Sequence, residues 1–92
     1  MKNKIAFAIY SPKTDTFFRS YLDFEDNIIK NFLAIFYQAN FYEKKEHAQR
    51  ALKYLRENQA IDAYFYCGNS KKKRKEISDS FKVVKIEFHA ND

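Results

Sequence analysis

Ninety-two residues, with a formal net charge of +5, one Cys, one Gly and one Pro, set narrow limits on this chain. A single domain over residues 1–92 fits that length, and it buries only about 60–65% of its unfolded surface, so the seven Tyr and ten Phe must supply much of the core. Lone Cys67 excludes an internal disulfide and a multi-cysteine metal cluster, the scarcity of Gly and Pro argues against a many-stranded sandwich or barrel, and no run nears the roughly 18 apolar residues of a membrane span.

Residues 4–10 alternate strictly. Ile5, Phe7 and Ile9 fall on one side, and Lys4, Ala6, Ala8 and Tyr10 on the other, as in a half-buried strand. Ser11-Pro12-Lys13-Thr14-Asp15 supplies turn chemistry, and extended character resumes at Thr16–Tyr21, so residues 4–21 read as a β-hairpin. Asp23 then suits a helix N-cap, with Asp26 placed to reach back as in a capping box. Ile28, Phe32, Ile35, Phe36 and Ala39 follow at helical spacing, which predicts a helix over 25–38, although Phe36 and Tyr37 suit a strand equally well.

The clearest element is a helix over 44–57. Ala48, Ala51, Leu52 and Leu55 form its apolar stripe, while Lys45, Gln49, Lys53 and Arg56 take the opposite side. Glu46 and Arg50 are spaced for an i, i+4 pair. Ile61–Cys67 alternates as a strand, with Ile61, Ala63, Phe65 and Cys67 on one face and Asp62, Tyr64 and Tyr66 on the other. Gly68-Asn69-Ser70 breaks it, and Lys71-Lys72-Lys73-Arg74-Lys75 reads as a loop of self-repelling cations. Phe81–Phe88 is the last strand, with Val84, Ile86 and Phe88 inward and Val83, Lys85 and Glu87 outward. The expected fold class is α+β: one small antiparallel sheet, in the order β-β-α-α-β-β, with helices packed on one face.

Residues 39–55 carry a resemblance. They read Ala-x-aromatic, a capping position, then Glu-x-Ala-x-x-Ala-Leu, and this resembles a pattern in small α+β proteins of bacteriophages and other mobile elements, commonly flanked by a hairpin like Phe7–Phe18 and a strand like Val83–Phe88. The capping position holds Glu43 where that group has Ser, Thr or Asp. The group shares no catalytic residues, and it includes anti-CRISPR proteins, inhibitors of host defence. The resemblance therefore implies a binding protein that blocks a larger host protein or nucleoprotein complex, while lone Cys67 fits a reducing, cytoplasmic setting and the wealth of Lys, Asn, Ile, Phe and Tyr fits a bacterial host.

Charge is unevenly placed. Residues 1–43 hold five Lys/Arg against five Asp/Glu, whereas residues 44–92 hold twelve against seven, so the whole excess lies in the second half. That field favours an anionic partner. The candidate binding residues are Lys71, Lys72, Lys73, Arg74 and Lys75, which can grip phosphates or an acidic patch, together with Tyr10, Arg19, Tyr64 and Tyr66 on a sheet face left open by the helices. The bland alternatives are a solvated loop and tyrosines that pack on one another or under a second cover. Asp23, Glu25 and Asp26 are read as helix capping rather than a metal site, His47 and His89 have no partner at ligand spacing, and Cys67 fills core. No nucleophile with a base and no Gly-rich phosphate loop is present, so neither an enzyme nor a cofactor is expected. A nucleic-acid-binding module is the alternative function, and aromatic excess leaves room for a homo-oligomer.

Overall fold

A computed structural model describes residues 4–25, 28–58 and 68–89, with side chains at 21–23, 28–32 and 58 left aside. Four strands form one antiparallel sheet in the order β3-β2-β1-β4: β1 (Lys4–Ser11), β2 (Thr16–Asp23), β3 (Ile28–Ala34) and β4 (Lys82–Phe88). Helices α1 (Lys45–Asn58) and α2 (Lys71–Ser80) complete the described secondary structure, with a 3-10 turn at Phe36–Gln38. The class is α+β.

The hairpin forms where the turn residues stand, and Asp15 adopts the left-handed backbone (φ 52°) that closes it. Helix α1 follows the apolar stripe: Ala48, Leu52 and Leu55 are buried and Ala51 is half-buried. They meet Ile9 of β1, Phe18 of β2, Ile77 of α2 and Phe81 in the main core, with Leu33, Tyr42 and Val83 packed against it.

Three expectations are corrected. The helix over 25–38 is replaced by strand β3, which pairs with β2 from Phe17↔Ala34 to Asp23↔Ile28. Asp23 accordingly ends a strand instead of capping a helix. The basic run is helical, forming the first half of α2. The phase of β4 is reversed, since Val83 pairs with Ile9 and faces the main core, while Val84, Ile86 and Phe88 share the opposite face with Ala8, Ala6 and Lys4. The strand expected at 61–67, with Tyr64, Tyr66 and Cys67, lies outside the described residues.

That opposite face has its own cover. Phe36 stacks edge-on against Phe17 (centroids 5.4 Å) and Phe41 (5.3 Å), and Phe41 meets Phe88 at 5.4 Å. Ala6, Ala8 and Ala34 stand beneath these rings, and all three are buried. Small side chains here leave room for the rings, whose paired geometry adds about 0.5–1.5 kcal/mol per pair beyond area burial.

The chain reaches α1 by passing through the sheet. β1 and β2 pair at Tyr10↔Phe17 and Ser11↔Thr16, next to their turn. Beyond that point residues 40–42 occupy the gap. Asn40 donates its backbone N–H to Phe18 O (3.1 Å) and its side-chain amide to Ser20 O (3.2 Å), so β2 is satisfied on that side. Tyr42 and Phe7 exchange both backbone hydrogen bonds at 2.8 Å, which satisfies β1. A splayed pair of strands otherwise leaves orphaned backbone groups, and this insertion pairs them.

Candidate functional site

Helix α2 starts at a well-formed cap. Ser70 Oγ accepts the backbone N–H of Lys73 (3.2 Å), satisfying one of the helix's orphan donors. Ile77 and Ser78 turn inward, and Arg74, one turn earlier on the same side, is half-buried. Lys71, Lys72, Lys73 and Lys75 are exposed. Lys75 Nζ reaches Asp79 at 2.6 Å, and Lys13 Nζ on the hairpin turn reaches Glu76 at 3.3 Å. Both pairs are well exposed, so each is worth little in water. Lys71, Lys72 and Lys73 form no ion pair among the described residues. Three uncommitted ammonium groups thus stand on the first turn of a helix whose N-terminus already carries positive dipole charge, and that turn holds no acidic residue.

The sheet residues behave differently from expectation. Tyr10 and Arg19 do lie on the face away from the helices, but that face is not open. Tyr10 donates its hydroxyl to Asp15 Oδ1 (2.6 Å) and its ring packs on Phe17 at 4.9 Å. The bond to the Asp15 carboxylate raises the Tyr10 phenol above its ordinary value of 10.0. Arg19 Nη1 donates to Gln38 O at 2.9 Å, holding the 3-10 turn against β2. Both side chains therefore serve the aromatic cover. The tertiary contact that decides this comes from Phe36 and Phe41, the first of which falls in the helix expected over 25–38. Tyr64 and Tyr66 lie outside the described residues, so the structure brings Lys71–Lys75 together on one helix and leaves the tyrosine constellation unassembled.

Two concave surfaces flank α1. One, of about 410 Å³, is lined by Phe18, Ser20, Tyr42, His47, Arg50 and Tyr54, among others. Burial pushes the Tyr42 phenol above 10.0, and its hydrogen bond with Asn40 works in the opposite direction. The other, of about 610 Å³, lies between α1 and β4, where Lys45, Lys53, Arg56 and Lys82 surround Leu52 and Val83. Lys45, Lys53 and Arg56 were legible in the sequence as the polar side of α1. Lys82 was not, because only the packing of β4 beside α1 carries it there.

Among the described residues there is no group of three or more His, Cys, Asp or Glu side chains able to hold a metal ion. No described helix is long and apolar enough to cross a membrane. The chain matches no known family model, no curated protein and no solved structure, so any functional reading stands on its own residues.

Proposed function

We propose that this domain works by binding, without chemistry of its own, and that its partner is a nucleic-acid backbone gripped through the first half of α2. The observation that carries this is the placement of Lys71, Lys72, Lys73, Arg74 and Lys75 at the positive end of a helix. A face selected only for solubility gains from acids there and loses from cations, by about 0.3–1 kcal/mol per charge at low salt. The sequence does the opposite at Lys71, Lys72 and Lys73, the first turn of α2. Phosphates bound at that end relieve the repulsion, because they meet both the ammonium groups and the helix's unsatisfied N–H donors.

The test is fluorescence anisotropy with labelled single-stranded and duplex DNA at about 50 and 200 mM salt. Affinity is expected to fall steeply as salt rises. Replacing Lys71, Lys72 and Lys73 with Ala is expected to flatten the slope of log K against log salt by roughly two to three. A wild-type protein that binds neither DNA nor RNA at the lower salt sinks the reading.

A second reading is the one the phage-protein resemblance implies, an inhibitor that occupies a surface on a host protein or nucleoprotein complex. One observation favours it. Tyr37 is 88% exposed and Ile35 63% exposed on the outside of the aromatic cover, and exposed aromatics are typical of protein interfaces. Recovery of a stoichiometric protein complex that is lost on Tyr37→Ala and retained in the α2 variant distinguishes the two.

A further inference from the structure

We infer that the groove between α1 and β4 is a second phosphate-contacting surface, which tracks the nucleic-acid backbone beyond α2. The inference rests on the nucleic-acid reading above and assigns it a distinct set of residues.

Helix geometry supplies the first reason. Lys45, Gln49, Lys53 and Arg56 recur at i, i+4, i+8 and i+11 along α1, and all four line the groove. At 1.5 Å of rise per residue this row is about 16 Å long, the axial rise of about five base pairs of a duplex. Every member of the row is a hydrogen-bond donor.

The second reason is what faces the row. Leu52 and Val83 form an apolar floor, and Lys82, the first residue of edge strand β4 and the register partner of Tyr10, borders the groove from the strand edge. Cations brought together beside low-dielectric surface focus their field in a way that the same charges on a convex helix do not. Lys45 and Lys82 have no ion-pair partner among the described residues. Glu57 is the carboxylate lining the groove, and it lies 3.9 Å from Lys53.

Connectivity gives the third. Arg56 Nη2 donates to Phe81 O at 2.6 Å, which ties the end of α1 to the residue that ends α2 and leads into β4. At the other end, Tyr42 bonds to Phe7, whose partner on β4 is Lys85. α1 thus runs antiparallel to β4, and the register puts Lys85 on the same face as Val83, toward the Lys45 end. Lys85 therefore adds a cation on this face near the N-terminal end of α1.

The test compares four proteins in the same anisotropy titration: wild type, Lys45→Ala/Lys53→Ala/Lys82→Ala, the α2 triple-Ala variant, and Lys4→Ala as a control on the other sheet face. Arg56 is left in place because it holds the end of α2. The groove variant is expected to lose at least tenfold in affinity at about 0.1 M salt and roughly two to three units of salt slope, with Lys4→Ala close to wild type. Arg at the same three groove positions is expected to restore binding, which separates loss of charge from loss of fold. A groove variant indistinguishable from wild type, beside an α2 variant that loses binding, overturns the groove and leaves the α2 reading standing. Absence of wild-type binding removes both. Equal, groove-dependent binding of polyglutamate overturns the phosphate assignment in favour of an acidic protein.

Discussion

Ser78 is fully buried, and its hydroxyl has no hydrogen-bond partner among the described residues. Ser11 is equally buried but shares a 2.6 Å hydrogen bond with Ser80, whose hydroxyl also bonds Ile77 O. The two serines therefore differ in sign. A buried hydroxyl without a partner costs about 1–3 kcal/mol of desolvation, whereas a satisfied one contributes about 1 kcal/mol. Ser78→Ala is expected to stabilise the domain by about 1 kcal/mol, aided by the higher helix propensity of Ala, and Ser11→Ala to destabilise it by a similar amount. Urea melts of both variants measure this, and a lower midpoint for Ser78→Ala contradicts it. At Tyr42 the prediction concerns pH. Its phenol is raised by burial, so the folded state favours the neutral form. That contribution is present in full below pH 10 and is lost as pH rises from there through the folded value. Stability should fall above pH 10, and less so in Tyr42→Phe, as followed by circular dichroism. Which serine finds a partner was not legible in the sequence, because both stand in similar polar surroundings and only tertiary packing brings Ser80 to Ser11.

At the scale of elements, periodicity succeeded where one face dominates and failed where two faces are apolar. The α1 stripe has polar residues opposite it, so a helix is the one arrangement that buries it. Ile28–Ala34 lacks that contrast. Its spacing fits a helix, yet seven consecutive register pairs with β2 make it a strand, and Ile28, Ile29 and Phe32 are residue types that favour one. α2 departs from expectation for the opposite reason. Lys and Arg are good helix formers and Ser70 is a good cap, so the local signals for a helix were present. Self-repulsion among the cations opposes the helix, and burial of Ile77 in the cluster with Phe81 and Leu55 outweighs it. The repulsion still has a cost. Lys72→Glu is expected to raise stability by about 0.3–1 kcal/mol at low salt and by less as salt rises, while weakening DNA binding. A thermal melt at two salt concentrations tests the first part, and a lower Tm at low salt contradicts it.

Over the whole molecule, both sheet faces are covered by different means, helices on one side and the Phe17, Phe36, Phe41 and Phe88 rings on the other. The segment 40–42 joins the two layers by filling the gap between β1 and β2. That arrangement engages Tyr10 with Asp15 and Arg19 with Gln38, while the lysines of the first turn of α2 and Lys45, Lys53 and Lys82 at the α1/β4 groove are exposed. Composition, charge asymmetry and the alternation of β1 and β4 were enough to determine an α+β domain with its positive charge in the second half, because each depends on local residue type and spacing. The second cover, the inserted segment and the meeting of Lys82 with the α1 lysines were decided by tertiary structure alone. Each depends on residues far apart in the chain sharing one face, and a two-sided apolar strand does not specify which of its faces a given neighbour will cover.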